Sequence, residues 1–297
     1  MTALRVRGVT KAFHSFRRTH PVLKGIDLEI ARGEVVGLIG PNGAGKTTLM
    51  SCLLDFLEPD DGEITIDGLP NDDLGIRRRT GFVPERMNFD RHATGFAFLR
   101  YMALLTGLDP RKADEGVRYW MQRLGIADAA GKKLSQYSRG MLQRLGMCQA
   151  LVHDPEFVFL DEPTSGLDPN GVMLMREVIT EQKARGALVL LNSHQLAEVE
   201  RLCDRVLFLS GGVISREERL RHADHVVVAV TMMPGTFDDA RVAELAGSAP
   251  KGNTLVVSVE DDAGIARLVR DLSAAGVGVI DVRRHKADLE GIFRGNG

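Results

Sequence analysis

Residues 40 to 48, which read GPNGAGKTT, combine three glycines with a lysine and two threonines. Backbone this rich in glycine can wrap an anion and point its N–H groups at phosphate oxygens. Gly40, Gly45, Lys46 and Thr47 match G-x-x-x-x-G-K-[ST], in which the lysine reaches the β- and γ-phosphates and the hydroxyl ligates Mg²⁺. The stretch therefore predicts a triphosphate site made by Gly40, Pro41, Asn42, Gly43, Ala44, Gly45, Lys46, Thr47 and Thr48.

Two carboxylates and a histidine follow apolar runs further along the chain. The run 157–160 ends in Asp161 and Glu162. Asp161 suits Mg²⁺, directly or through water, and Glu162 is placed to orient or deprotonate a water. The competing interpretation is an acidic strand cap. The run 188–191 leads to His194, which we expect near the γ-phosphate, although a histidine at a strand end is usually structural.

A second anion site is predicted at the start of the segment YSRGMLQRLGMCQAL, residues 137–151. Its apolar residues recur at helical spacing, Ser138 is a natural N-cap, and Gly140 permits close approach of the backbone. A helix N-terminus attracts anions. The long helical stretch in between argues against this helix reaching the chain's own glycine loop. The alternative is an ordinary capped helix.

The elements around these residues indicate an α/β fold. Residues 34–39, before the glycine loop, are apolar on both faces and predict a buried parallel strand. Apolar residues at helical spacing follow the loop, so strand, loop and helix occur in the order that the phosphate-binding pattern requires. A chance glycine turn is therefore disfavoured. Parallel strands place their carboxyl ends at one edge of the sheet, where ligands bind.

Composition limits the remaining possibilities. The 297 residues carry a formal net charge of −2, so no overall basic field indicates a nucleic acid partner. The three cysteines are far apart and are expected to be reduced thiols. Neither a secretory signal nor a run of about 18 apolar residues is visible, and we expect a cytoplasmic chain that does not itself span a membrane.

Taken together, the motifs resemble those of the ATP-binding subunits of ABC transporters. The resemblance rests on GPNGAGKTT (40–48), YSRGM (137–141), FVFLDEP (157–163), SGLD (165–168) and NSHQ (192–195). It implies a P-loop NTPase fold of the ABC ATPase type over residues 1–220, with a mixed sheet and a helical subdomain at about 86–152. It also implies ATP, Mg²⁺ and a sandwich dimer in which Ser138, Gly140 and Met141 touch the γ-phosphate of a second subunit. Asp168 is the nucleotide-site residue that the resemblance adds from SGLD.

The sequence departs from the family pattern at several positions. Tyr137, Arg139 and Met141 replace three residues of the usual L-S-G-G-Q. Glu85 stands where a glutamine is usual, and it remains an oxygen ligand for Mg²⁺. Phe13 best matches the aromatic that stacks on adenine, with His14 and Phe16 as neighbouring alternatives and core packing as the competing role.

The C-terminal residues 223–297 predict a small α+β accessory domain. Gly211 and Gly212 indicate a hairpin, SREERLRHAD (215–224) a charged linker, and 225–231 and 254–260 strands. A helix, a further strand and a short closing helix complete the domain. LEGIF (289–293) resembles the ending of drug- and polymer-exporting ABC ATPases. A role in dimer or partner contact is the expectation for this domain.

The resemblance implies an ATPase that serves a separate transmembrane permease at the inner face of the cell membrane, most similar to exporter subunits. A coupling helix of the permease would enter the groove beside the helical subdomain. A second ATPase subunit, identical or distinct, completes the site. The alternatives are an ATPase that mechanically regulates a membrane protein and an ABC ATPase of DNA repair or translation. A GTPase is disfavoured because no guanine-reading motif is evident.

Overall fold

The computed structural model describes residues 2–15, 18–220, 226–259 and 262–284. The chain divides into two compact units, Met1–Arg219 and Leu220–Gly297. The first unit contains every residue predicted to bind nucleotide, and each unit has its own apolar core. All three cysteines are free thiols, as the sequence predicted, and the structure shows that all three are buried.

The first unit contains ten strands and seven helices among the described residues. The strands are β1 (Thr2–Ser15), β2 (Arg18–Ala31), β3 (Val35–Ile39), β4 (Asp61–Ile66), β5 (Leu69–Pro70), β6 (Thr80–Val83), β7 (Phe157–Asp161), β8 (Leu188–Asn192), β9 (Arg205–Ser210) and β10 (Val213–Arg219). The helices are α1 (Lys46–Leu53), α2 (Leu74–Arg78), α3 (Gly95–Leu105), α4 (Pro110–Arg123), α5 (Arg139–Leu151), α6 (Pro169–Ala184) and α7 (Leu196–Leu202).

A six-stranded mixed sheet forms the centre of this unit, in the order β10-β9-β3-β8-β7-β6. β9, β3, β8, β7 and β6 run parallel, and β10 is antiparallel to β9. Every residue of β3, β7 and β8 is buried, which explains their continuous apolar sequences. Their carboxyl ends therefore lie at one edge, as predicted.

A second, antiparallel sheet with the order β2-β1-β4-β5 covers one face of the central sheet. Inward residues such as Leu4 and Ile26 share a core with Leu38 of β3, Leu49 of α1 and Phe159 of β7. Apolar alternation along β1 and β2 places one face in this core and leaves the other solvated. The hairpin that carries Phe13 is thereby held beside the start of α1.

Three helices, α3, α4 and α5, occupy the region predicted to be helical. Thr94, Asp109 and Ser138 are their N-caps, each accepting a backbone N–H with its side chain. Tyr137 is buried just before α5 and donates its hydroxyl proton to the carbonyl oxygen of Ala129 at 2.8 Å. A Cβ on Gly95 would lie 2.0 Å from that hydroxyl, so a glycine makes room for the tyrosine.

The predicted linker at 215–224 is wrong over its first half. Gly211 and Gly212, both with positive φ, form the predicted hairpin turn, but β10 continues through Arg219 paired to β9. This edge strand is mostly exposed, so a charged sequence is compatible with it. Residues 221–225 lie outside the described residues.

The second unit contains a three-stranded antiparallel sheet in the order β12-β11-β13. Its described elements are β11 (Val226–Met232), α8 (Asp239–Ala246), β12 (Thr254–Val259), α9 (Asp262–Ala274) and β13 (Val279–Arg284). Val228, Val230 and Leu255 pack with Leu272 of α9, so the predicted strands and helix form one core. Helix α8 was not predicted. The closing helix and LEGIF lie outside the described residues.

Arg205, on β9 next to the edge strand β10, forms ion pairs with Glu34 and Glu217. Its side chain is 8% exposed and lies 2.9 Å from Glu34 Oε1 and 2.8 Å from Glu217 Oε1. We expect Arg205→Ala to lower the free energy of unfolding by about 1–3 kcal/mol, because Glu34, whose side chain is 18% exposed, would lose its cationic partner. Chemical denaturation would measure the change.

Arg216→Ala is the matched control for this prediction. Arg216 pairs with Glu218 two residues further along the same strand, β10, where both side chains are partly solvated, and such pairs contribute less than about 1 kcal/mol. Equal losses in the two variants would contradict the assignment of Arg205 to the stability of the sheet.

No helix within the described ranges combines the length and apolar character needed to cross a membrane.

Candidate functional site

The glycine loop joins β3 to α1, as the sequence predicted. Gly45 has φ 106° and caps α1, whose first residue is Lys46. The Lys46 ammonium donates to the carbonyl oxygens of Gly40 at 2.7 Å and Pro41 at 3.1 Å. Burial lowers the pKa of Lys46, and the charges of Glu162 and Asp161 oppose that effect. The lysine therefore lies inside the loop and within the field of the two carboxylates.

Tight packing explains why the first glycine of the loop carries no side chain. A Cβ on Gly40 would lie 2.1 Å from the carbonyl oxygen of Leu209 in β9. Gly45 lies against Val22 and Leu23 of β2, so the loop is clamped between the central sheet and the β1–β2 hairpin. The loop is thus positioned by both sheets.

Asp161 lies at the carboxyl end of β7 and is 5% exposed. The Asn192 side chain at the end of β8 donates to Asp161 Oδ1 at 2.5 Å. Burial raises the pKa of Asp161, the Asn192 hydrogen bond lowers it, and the charges of Glu162 and Glu85 raise it further. A buried carboxylate with these neighbours favours a cation beside it.

Glu162 and His194, predicted from separate strand ends, are in direct contact. His194 Nδ1 lies 2.8 Å from Glu162 Oε1, and the His194 backbone N–H donates to the same oxygen at 2.9 Å. Glu162 is 8% exposed, whereas the His194 side chain is 67% exposed. Glu162 Oε2 is buried and has no hydrogen-bond partner among the described residues. The second carboxylate oxygen is therefore available to a further donor.

Glu85 and Phe13 lie at the periphery of the site. Glu85 follows β6, which neighbours β7 in the sheet, and it is exposed while still acting on Asp161 through its charge. Phe13 lies opposite His20 in the β1–β2 hairpin and is 45% exposed. Its exposure argues against the core-packing alternative. Phe16 lies outside the described residues.

The start of α5 contacts residues 165–168 and not the glycine loop. Ser138 Oγ accepts the N–H of Met141 at 3.2 Å, and Gly140 lies beside Leu167. Within the part of the chain that the structure describes, no hydrogen bond joins residues 138–141 to residues 40–48. Asp168 caps α6 by accepting the N–H of Gly171 at 2.8 Å. The two predicted anion sites of one chain are therefore separate.

Two polar residues of the site were missed by the sequence analysis. Asn192 ends the strand that leads to His194, and its side chain donates to Asp161. Gln143 is buried in α5, and its side-chain amide donates to the carbonyl oxygens of Glu162 and Pro163. A polar residue on a buried helical face is a signal that sequence inspection can detect, since buried polar groups need partners.

The residues present fit Mg²⁺ and a triphosphate. Across the ranges 2–15, 18–220, 226–259 and 262–284, no group of three or more His, Cys, Asp or Glu side chains forms a metal cage. Mg²⁺ does not require one, because it is bound through one or two carboxylates together with phosphate oxygens and waters. Asp161 and the Thr47 hydroxyl supply hard oxygen donors of the kind that this chemistry needs, and the Glu85 carboxylate is close enough to act on Asp161 through its charge.

Comparison with known proteins finds relatives by sequence and by fold. The ABC transporter family model matches residues 23–165. An ABC transporter ATP-binding protein of Nostoc sp. is 45% identical over 64% of this chain. The chain spans 57% of that relative's own length.

Two further proteins are similar over most of their length. The daunorubicin resistance ATP-binding protein DrrA3 of Streptomyces coeruleorubidus is 31% identical, over 98% of this chain and 95% of the relative. The solved dimeric structure of MJ0796, a bacterial ABC transporter cassette, is 25% identical and superposes with a TM-score of 0.69, covering 73% of this chain and 99% of that one. The chain belongs to the ATP-binding proteins of ABC transporters.

Proposed function

We propose that the protein is the ATP-hydrolysing subunit of an ABC exporter and drives a separate transmembrane permease through ATP-dependent dimerisation. The observation that carries the proposal is the contact between Glu162 and His194 at the sheet edge that also holds Lys46 and Asp161. A general base, its positioning group, a phosphate-binding lysine and a cation-binding carboxylate meet there.

The glycine loop binds and orients the triphosphate in this proposal. Residues 40–48 surround the phosphates with backbone N–H groups, and the Lys46 ammonium leaves the loop carbonyls to pair with phosphate oxygens. Thr47, Asp161 and Glu85 would hold Mg²⁺, and the bound cation would neutralise phosphate charge. Phe13 stacks on the adenine from the exposed face of its hairpin.

Glu162 and His194 act on the attacking water. Glu162 accepts a proton from the water through its carboxylate, and His194 orients that carboxylate through Oε1. The other carboxylate oxygen, Glu162 Oε2, has no hydrogen-bond partner among the described residues, and we assign it as the acceptor of the proton from water. General base catalysis of this kind contributes about 10²- to 10⁴-fold to the rate.

A second copy completes each site. Ser138, Gly140 and Met141 form a helix start that lies apart from their own glycine loop, and a helix N-terminus attracts the γ-phosphate of a facing chain. Asp168, next to this helix start, lies at the same interface. The dimeric structure of the cassette MJ0796 supports this arrangement by similarity. Binding ATP more strongly in the closed dimer than in the open one gives the cycle its direction.

The transport role rests on similarity to exporter subunits. DrrA3 is named for daunorubicin resistance, and the chain resembles it from end to end. We propose that the protein lies on the cytoplasmic face of the membrane, held there by its permease, and that residues 223–297 form an accessory domain for partner contact. Nucleic acid is not a partner in this proposal.

Copurification from membranes tests the permease partner. We expect the full chain, expressed in its native host and crosslinked before extraction, to be recovered with a polytopic membrane protein. This partner should stimulate ATP hydrolysis by the chain. Uptake of substrate into vesicles that contain both proteins would then distinguish a transporter from a regulated membrane protein. Recovery with ribosomes or DNA, released by salt, would instead favour the repair or translation alternative.

A further inference from the structure

Gln143 connects helix α5 to the backbone of the proposed catalytic glutamate. It is 5% exposed, and its Nε2 donates to the carbonyl oxygen of Glu162 at 3.3 Å and to that of Pro163 at 3.1 Å. Both partners are carbonyls, which accept and never donate, so the amide nitrogen must face them. The orientation of this side chain is therefore fixed by its surroundings.

The backbone that Gln143 holds is unusual. Glu162 has φ 51°, in the left-handed region that residues with a Cβ adopt rarely. Its N–H donates to the carbonyl oxygen of Asn192 at 2.9 Å, while its own carbonyl accepts from Ser165 N at 3.1 Å and from Gln143. Conformations of this kind persist where the surrounding structure determines them.

The direction of the Glu162 side chain depends on this backbone. The Cα–Cβ bond is fixed by φ and ψ, and the carboxylate must still meet His194 Nδ1 at 2.8 Å. Loss of the Gln143 hydrogen bonds would loosen the carbonyl side of Glu162 and Pro163, while the hydrogen bond from the Glu162 N–H to Asn192 would remain. A small rotation would then move the carboxylate away from the water that it activates.

Two other side chains of α5 extend the connection. Arg139 donates to the Ser165 hydroxyl at 3.0 Å, and Arg144 donates to Asp168 Oδ1 at 3.3 Å. Side chains of a single helix thus contact the segment from Glu162 to Asp168 at three points. Gln143 is the buried member of the three and the one that reaches Glu162.

We propose that Gln143 is a positioning residue for ATP hydrolysis, which holds the Glu162 backbone and transmits the position of the α5 start to the catalytic carboxylate of the same chain. The transmission rests on the proposed function, in which Ser138 engages ATP held by a second copy. Gln143 lies about 7.5 Å along the helix axis from the N-cap Ser138, at 1.5 Å per residue. When the helix start of one chain binds the ATP held by the second copy, Glu162 of the first chain is aligned to hydrolyse the ATP in that chain's own loop.

Steady-state kinetics of Gln143→Met and Gln143→Asn test the proposal. Methionine keeps the length but has no donor, and asparagine keeps the donor but is too short to reach either carbonyl. We expect kcat to fall by about 10- to 100-fold, the cost of a misplaced catalytic group, with KM and nucleotide affinity within about twofold of wild type. Thermal unfolding would establish which variants are folded, and either folded variant decides the question.

Gln182→Met is the matched control. Gln182 is 2% exposed on α6, and its Nε2 has no hydrogen-bond partner among the described residues. This variant removes a buried amide without touching Glu162, so its kcat should equal that of wild type. A wild-type kcat in folded Gln143→Met or Gln143→Asn would overturn the proposal, as would an equal loss in Gln182→Met.

A double variant separates this proposal from the dimer on which it depends. Glu162→Gln combined with Gln143→Met should still form an ATP-dependent dimer on size-exclusion chromatography, because Gln143 holds the base and not the nucleotide. Loss of the dimer in the double variant alone would contradict the positioning role. If Glu162→Gln itself stayed monomeric, the proposed dimer would be refuted. The kinetic comparison of the Gln143 variants would still test whether Gln143 positions Glu162.

Discussion

Glu162→Gln is expected to abolish turnover while leaving ATP binding intact. The amide keeps the shape of the side chain and can still contact His194, but it cannot accept a proton from water. We expect kcat to fall by about 10²- to 10⁴-fold, which is the contribution of a general base. The uncleaved nucleotide should then hold two chains together, and size-exclusion chromatography with ATP and Mg²⁺ should show a dimer.

Glu156→Gln is the control for this result. Glu156 precedes the same strand at its opposite end, where it pairs with Arg32 and Arg79. It should hydrolyse ATP at the wild-type rate and elute as wild type does. If Glu162→Gln hydrolysed ATP normally, another group would have to be the base. If it bound ATP but stayed monomeric, the sandwich model would be refuted.

The main features of the site could be predicted because each is local to one segment. The glycine loop needs its strand before it and its helix after it, and Asp161 needs only the apolar strand that precedes it. The placement of Glu162 and His194 at a common site followed from one further rule, that parallel strands end at a common edge, whereas their direct contact was not predicted. These inferences use chain order and burial, both of which are encoded in the apolar pattern.

The remaining features depend on contacts that the pattern does not encode. Gln143 meets Glu162 and Pro163 because α5 packs beside the end of β7, and nothing in the helix sequence specifies that neighbour. The charged sequence of residues 215–219 predicts a linker, because an edge strand solvated on its outer side has no apolar alternation. Tyr137 replaces a leucine of the usual motif, and its fit depends on Gly95, distant in sequence.

Lys46→Ala should weaken nucleotide binding itself. The ammonium lies within the loop, bonded to two of its carbonyls, and is the cation closest to the place proposed for the phosphates. A charge-assisted hydrogen bond contributes about 1.5–3 kcal/mol, which corresponds to about a 10- to 100-fold loss of ATP affinity. Calorimetric titration would measure it, with Lys112→Ala, an exposed lysine on α4, as the control.

The same variant can show whether the site is shared between two chains. Ser138→Asp retains an N-cap for α5 but places a negative charge where the second copy's phosphate is expected. Ser138→Asn, which caps without charge, is its control. Each of Lys46→Ala and Ser138→Asp should be nearly inactive alone, because every site in either dimer carries one defect.

A mixture of the two variants should recover hydrolysis. In a mixed dimer, the intact loop of the Ser138→Asp chain faces the intact helix start of the Lys46→Ala chain, while both defects fall in the other site. Activity above the sum of the separate variants is therefore expected only if loop and helix come from different chains. In that intact site the catalytic Glu162 belongs to the Ser138→Asp chain, whose own helix start is not seated, so we expect the mixture to remain about 10- to 100-fold below wild type, as the Gln143 variants do. A mixture no more active than its components would contradict the assignment of loop and helix start to different chains.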